Sequence, residues 1–351
     1  MITYICKYKQ IQLGLVGMNN IKLGSFNKVL ITGAAGFIGF HLSRKLLETG
    51  YHVTGVDNLN NYYSTDLKKH RLDILEKYPN FRFTMLDISD YQVLEKIFQQ
   101  ENPQIVVNLA AQAGVRYSID HPREYINSNI CGFFNILEAC RHYPVQHLVY
   151  ASSSSVYGNQ QKTPFSVEDK TDSPISLYAA TKKSNELMAY TYSHLYGIPA
   201  TGLRFFTVYG PYGRPDMAYF KFADAIMENR PITVYNKGDM LRDFTYVDDV
   251  VMAMERLLAN SPMPNANGVK HKVYNVGNNH PEKLMDFIEA LEIALGKKAQ
   301  KEYLPMQPGD VYQTYADVEA LERDFGYRPK TGIREGLKNF TVWYLDWRAA
   351  R

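Results

Sequence analysis

What this chain has little of narrows its class before any motif is read. Cysteine is scarce, with Cys6, Cys131 and Cys140 the three present, too few for the disulfide framework of a small secreted domain. Cys131 and Cys140 share one apolar helical pattern, which predicts buried free thiols in a reducing, cytoplasmic setting. An excess of one charge is also missing: the formal net charge is +3, too small to argue for a nucleic-acid surface. The clustered bases Lys68, Lys69 and Arg71 read as a solvated helix face. The leader Met1–Ser25 lacks both the run of about 18 apolar residues that could span a membrane and a small-residue cleavage pattern behind an apolar core. It reads as a disordered or edge-packed extension of unassigned role, with Met18 a candidate start. Neither nucleic acid nor membrane is needed as a partner.

What is present centres on Lys28-Val29-Leu30-Ile31-Thr32-Gly33-Ala34-Ala35-Gly36-Phe37-Ile38-Gly39. Val29 to Ile31 form the β-branched apolar run of a buried parallel strand, and Phe37, Ile38, Leu42, Leu46 and Leu47 fall at helical spacing behind the glycines. Gly33 permits a tight turn, Gly36 lets backbone approach a pyrophosphate, and Gly39 lets the helix pack closely, while the N–H groups at the start of the helix, from Phe37 and Ile38 on, favour an anion. A second strand, Tyr51 to Asp57, ends in an acid 18 residues after Gly39, where a carboxylate accepts from the adenosine ribose and disfavours a 2′-phosphate. The expected cofactor is therefore NAD, with Asn58 beside Asp57; no metal is called for.

Short apolar runs alternate with helical patterns to about residue 206: Phe81–Leu86 before Asp87, then Ile105–Ala110, His147–Ser152 and Ala200–Phe206. This is the pattern of a Rossmann-type, doubly wound parallel α/β sheet, whose ligands sit beyond the carboxyl ends of the strands. There Asp87-Ile88 can face adenine, Leu109-Ala110-Ala111 can pass close to the cofactor, and Asn129 can bond ribose or nearby backbone. Helices over Arg123–Arg141 and Leu177–Tyr196 carry apolar residues on more than one face, which predicts a homodimer through a helical bundle. Past residue 206 the composition turns to Gly, Pro and Tyr, as in Tyr209-Gly210-Pro211-Tyr212-Gly213-Arg214-Pro215, and reads as a smaller second domain closing a cleft.

The chemistry is carried by a serine run at a strand end, Ser153-Ser154-Ser155, and by Tyr178 and Lys182 four residues apart on the helix that follows. That spacing puts phenol and ammonium on one face. Lys182 and an oxidised nicotinamide favour the phenolate of a tyrosine whose ordinary pKa is about 10, so Tyr178 can take a carbinol proton while Ser153 hydrogen-bonds the same oxygen.

Together these residues resemble the extended short-chain dehydrogenase/reductases, in the branch that modifies nucleotide sugars. The resemblance runs from residue 28 to about 345, matching the glycine turn, Asp57, Asp87-Ile88, Leu109-Ala110-Ala111, Asn129, Ser153, Tyr178, Lys182 and Arg204-Phe205-Phe206. It implies that Arg242 of Arg242-Asp243-Phe244 contacts a nucleotide diphosphate, a contact that suits a forked guanidinium. The stretches Ala113-Gly114-Val115-Arg116-Tyr117-Ser118 and Thr207–Ala218 look most like UDP-glucuronate 4-epimerases, with Arg116 among the implied substrate residues. Dehydratases of the branch carry an acid pair, and decarboxylases a glutamate, at places where this chain has Ser154 and Ser155. The resemblance thus implies inversion at carbon 4 of UDP-glucuronate through a transient 4-keto sugar, whose carboxylate the hydroxyls of Ser154, Ser155 and Thr207 suit and whose countercharge Arg214 can supply. Alternatives are a UDP-glucose/UDP-galactose 4-epimerase and, from another class, a non-catalytic dinucleotide sensor. The expected domains are an NAD-binding unit over 26–206 and a nucleotide-sugar unit over 207–351, with part of 243–277 packing back on the first.

Overall fold

The computed structural model describes residues 27–307 and 311–350; the expectations for the leader and for Cys6 lie outside them. The six strands expected from the alternation are β1 (Lys28–Thr32), β2 (His52–Asp57), β3 (Phe81–Met85), β4 (Ile105–Asn108), β5 (His147–Ser153) and β6 (Ala200–Phe205). They are followed by β7 (Thr207–Tyr209), β8 (Ile232–Tyr235), β9 (Leu241–Tyr246), β10 (His271–Val276), β11 (Pro281–Lys283) and β12 (Lys301–Leu304). The main sheet has seven strands in the order β10-β6-β5-β4-β1-β2-β3, and every pairing in it is parallel. The central strand β1 is apolar from Val29 to Ile31 because both its faces are covered: Val29 and Ile31 enter one core, and Leu30 between them enters the other.

Helices α1 (Phe37–Glu48), α2 (Thr65–Leu75), α3 (Tyr91–Glu101), α4 (Phe133–His142) and α5 (Leu177–Tyr196) alternate with the first six strands. Then come α6 (Ala218–Met227), α7 (Val247–Leu258), α8 (Leu284–Leu295), α9 (Glu319–Phe325) and α10 (Ile333–Ala349). Helix α7 lays Val247, Val250, Val251 and Met254 against Phe37, Phe40 and Leu42 of α1 in one core. A second core joins α6, α8 and α10 to β8 and β9, and β7 and β9 share a three-stranded sheet with β11. Among the described residues no helix is long and apolar enough to cross a membrane.

Three local expectations are corrected. The helix read over Arg123–Arg141 is not uniform: a short turn at Pro122–Tyr125 leads into π-helix over Ile126–Gly132 and then α4. The wider turn makes room for Ile88, whose side chain lies so close that a Cβ on Gly132 would stand 2.6 Å from it. Cys131 rides the outer side of this π turn and is exposed, whereas Cys140 is buried as expected. The bases of α2 do not share a solvated face, for only Lys69 is exposed; Lys68 and Arg71 point inward, where they find acceptors described below.

Candidate active site

The carboxyl ends of the central strands open into a cleft of about 630 Å³, within the range of small-molecule sites. Its floor is the glycine turn. Gly33 has φ +73° and its N–H donates to Val56 O at 2.7 Å; a Cβ there would stand 2.8 Å from Ala110 N. On Gly39 a Cβ would meet Gly33 O at 2.0 Å, so only hydrogen fits where α1 crosses the turn. Gly36 is the N-cap of α1 and no side chain caps that end, which leaves the first-turn N–H groups and the positive end of the helix turned toward an anion. Gly33, Gly36, Phe37, Ile38 and Gly39 all line the cleft. This uncapped, side-chain-free cradle fits a dinucleotide pyrophosphate.

Asp57 and Asn58 end β2 at the cleft wall, with Asp87 and Ile88 beyond β3 and Leu109, Ala110 and Ala111 beyond β4. Asn58 donates to Asp87 at 2.7 Å; burial opposes ionisation of Asp87, but bonds from Ser89 and Asn58 hold its carboxyl below the usual range. Lys68 reaches to 3.7 Å from Asp57 and donates to Asn60. Asp57 also accepts from Leu59 N–H at 2.9 Å, and the cation beside it is a neighbour the sequence did not suggest. Asn129 is set back from the cleft wall: its amide accepts from Gln112 N–H at 2.8 Å and donates to Gln112 O and Thr181, each at 3.0 Å. Of the two roles open to it in the sequence, it takes the bracing of backbone, because the π turn aims it across the strand end.

Ser153, Tyr178 and Lys182 face the same cleft. Ser153 ends β5 and its Oγ accepts from Ser155 N–H at 3.1 Å and lies 3.1 Å from Ser155 Oγ. Tyr178 packs edge-on to Tyr125 with ring centres 6.0 Å apart. Burial pushes its phenol above the ordinary value, while a hydrogen bond from Ser153 and the charge of Arg214 pull the other way. Lys182 donates to Ala151 O at 2.9 Å and is lowered to about 8 by burial. The lowering expected from Lys182 is not what acts here: the charge that pulls the phenol down is that of Arg214, which the sequence did not suggest, and burial outweighs it.

Arg116, Ser154, Ser155, Thr207, Arg214 and Arg242 also line the cleft. Arg242 donates to Tyr312 O at 2.9 Å and Val311 O at 2.6 Å, and Arg116 lies over the Tyr235 ring at 4.7 Å. Arg214 is gripped by Asp216 through two bonds of 3.0 and 2.5 Å, and Tyr62 donates to the same carboxylate at 3.1 Å. Sequence reasoning missed Tyr62, Lys68 and Asp216. The only signal for Asp216 was its position two residues after an arginine in a Gly-Pro turn.

A family model described as GDP-mannose 4,6 dehydratase matches residues 30–340. The chain belongs to this family. Within it, the chain is a member of the nucleotide-sugar epimerase branch of the extended short-chain dehydrogenase/reductases. It is 56% identical over 331 residues to Protein CapI of Staphylococcus aureus, covering 91% of this chain and 99% of the relative. It is 44% identical over 330 residues to a probable UDP-glucuronate 4-epimerase of Rhizobium meliloti, covering 90% and 96%. A solved UDP-glucuronic acid 4-epimerase from Bacillus cereus, in complex with UDP-glucuronic acid and NAD, superposes with a TM-score of 0.84 at 35% identity, covering 91% of this chain and 99% of that one. The resemblance read from Ser153, Tyr178, Lys182 and the glycine turn therefore extends to the whole described fold.

Proposed function

We propose that this NAD-dependent nucleotide-sugar 4-epimerase inverts carbon 4 of UDP-glucuronate to give UDP-galacturonate. The observation that carries the reading is the set of groups that share the cleft. Ser153, Tyr178 and Lys182 line one cavity with the hydroxyls of Ser154, Ser155 and Thr207 and the guanidinium of Arg214, with hydroxyls, not carboxylates, directly after Ser153. Tyr178 takes the proton of the 4-hydroxyl and later returns it, and Ser153 hydrogen-bonds the same oxygen, which is the work of a positioned general acid–base pair. Bound NAD supplies the transient oxidation at carbon 4 and its reversal. Gly33 to Gly39, Asp57 and Lys182 hold the cofactor, and Arg242 holds the diphosphate. The Rhizobium and Bacillus relatives support the uronate, since both carry UDP-glucuronate or UDP-glucuronic acid 4-epimerase in their names.

A neutral hexose is the second reading, and one observation favours it: Asp216 already balances the charge of Arg214, so the cleft does not demand an anionic sugar. Incubating the holoenzyme separately with UDP-glucuronate and UDP-glucose and following sugar stereochemistry by NMR decides between them. Conversion of UDP-glucose alone overturns the uronate assignment, and conversion of neither leaves a dinucleotide-binding protein without this chemistry. The enzyme acts as a homodimer in this reading, supported by the exposed Phe134 of α4 and Leu187, Tyr190 and Leu195 of α5, an apolar band suited to a second copy. A monomeric mass by light scattering would reject that part.

A further inference from the structure

The turn that carries Arg214 is tied to the cofactor side of the cleft through its own main chain. Pro211, Tyr212 and Gly213 are consecutive, and the carbonyl of each accepts from a side chain of one of the two helices beside the glycine turn. His41 of α1 donates from Nε2 to Pro211 O at 2.8 Å. Arg71 of α2 donates from Nε and Nη2 to Tyr212 O at 3.2 and 2.6 Å, and from Nη2 to Gly213 O at 3.1 Å. In the other direction its Nη1 donates to Ala35 O, inside the glycine turn, at 2.7 Å, and to the Tyr63 hydroxyl at 2.9 Å.

Arg71 is completely buried, and all of these partners are neutral oxygens. A charge in that position is costly unless its donors are satisfied, and a flat five-donor fork satisfies them only if the acceptors stay where they are. The turn is also held in a conformation it would not choose: Tyr212 has φ +54°, a left-handed value that is uncommon for a bulky residue. Such backbone persists where its surroundings over-determine it. Here the surroundings are Arg71, His41 and rings packed on Tyr212 from Phe40 at 4.8 Å and Trp343 at 4.9 Å.

We propose that Arg71 is a positioning residue: by fastening the carbonyls of Tyr212 and Gly213 to Ala35 of the glycine turn, it sets Arg214 at a fixed distance from the cofactor. The proposal rests on the reading that Arg214 faces the sugar. Arg71 touches neither substrate nor cofactor; it acts through the turn, and His41 assists at Pro211. A lysine at this position keeps the charge and loses the fork, so it separates position from charge.

The test is a double-mutant cycle on the holoenzyme with Arg71→Lys and Arg214→Ala, run on whichever UDP-sugar the wild type turns over. Failure on UDP-glucuronate then tells against the substrate reading alone. Arg71→Lys should retain bound NAD and raise KM about tenfold, the effect of one misplaced hydrogen bond, with kcat within about threefold. In the Arg214→Ala background the same change should cost less than about twofold, because nothing remains to be positioned. Additive losses, or loss of NAD from Arg71→Lys, would overturn the proposal and leave Arg71 a brace of the fold. If Arg71→Lys does not fold, His41→Leu removes a single bond from the same turn. Its smaller rise in KM must also vanish in the Arg214→Ala background, and a persistent rise refutes the proposal. The chain's two tryptophans supply a readout free of turnover, since Trp343 packs on Tyr212 and Trp347 on His70. Their emission should shift in Arg71→Lys and stay unchanged in Arg214→Ala; equal spectra for all variants count against a loosened turn.

Discussion

Replacing Asp216 by Asn should sharpen the preference for a uronate. Burial opposes ionisation of Asp216, but the adjacent Arg214 outweighs it and holds the carboxyl below its ordinary range, so at neutral pH the two groups cancel. Asparagine keeps the shape and one acceptor while removing the negative charge. Breaking a fully buried pair costs about 3–5 kcal/mol; here the side chains are 22% and 21% exposed, so water takes up part of the charge and the loss of stability should be about 1–2 kcal/mol. The gain appears on binding. A sugar carboxylate on the guanidinium edge not taken by Asp216 would lie on the order of 6 Å from the Asp216 carboxylate. Repulsion at that range is about 2–3 kcal/mol at an effective dielectric of about 20. Water in an open cleft screens about half of it, which leaves roughly a tenfold tighter interaction. Steady-state kinetics on both sugars should therefore show KM for UDP-glucuronate falling about tenfold, while KM for UDP-glucose moves less than about twofold. Equal shifts on the two substrates, or weaker uronate binding, would refute the placement of the sugar carboxylate at Arg214.

Tyr178→Phe removes the proton acceptor and keeps the ring against Tyr125, so turnover should fall about 10²–10⁴-fold with NAD still bound; near-normal kcat would reject Tyr178 as the base. In deuterated water no deuterium should enter carbon 4, because the hydrogen there returns from within the enzyme, and label at that carbon in the product by NMR would reject the oxidation–reduction route. Glu292 on α8 supplies a pH test of stability: burial opposes its ionisation, but hydrogen bonds from Lys301 and Lys298 hold it down to about 2 from 4.5. A depressed acid stabilises above its unfolded value and loses that contribution as pH falls through the folded one. The gap in Tm between wild type and Glu292→Gln should thus be widest above pH 4.5 and close toward pH 2, and a gap constant with pH would refute it.

Much of this was legible in the residues because it depends on local rules. The six apolar runs, the glycine spacing and the four-residue interval between Tyr178 and Lys182 each constrain backbone within a few residues, and their places in the sheet follow from parallel topology. What was not legible depends on partners far along the chain. Arg71 looks like any surface base of an amphipathic helix until three carbonyls from 35, 212 and 213 surround it. Lys68 was misread for the same reason, its acceptors lying on the strand end at Asp57 and in the loop at Asn60. The π turn at Ile126–Gly132 was not legible because each flank keeps its own helical spacing and only the phase between the flanks changes, and it is this turn that sends Asn129 to backbone and Cys131 to solvent.

The seventh strand of the main sheet reaches beyond the active site. β10 is formed by residues 271–276 yet pairs along β6, so the chain leaves the sheet after Phe205, builds β7 to β9, comes back through α7 and β10, and departs again. Without that return, β6 would be a bare apolar edge, with unpaired N–H and C=O groups open to other chains. A fragment ending near residue 206 should therefore aggregate instead of folding as a cofactor-binding module. Heat or denaturant should melt both halves in one cooperative transition, since neither can finish its own core before the other has begun. For a growing polypeptide this means that the nucleotide cradle, although made first, gains its final edge only after about three quarters of the 351 residues have been synthesised.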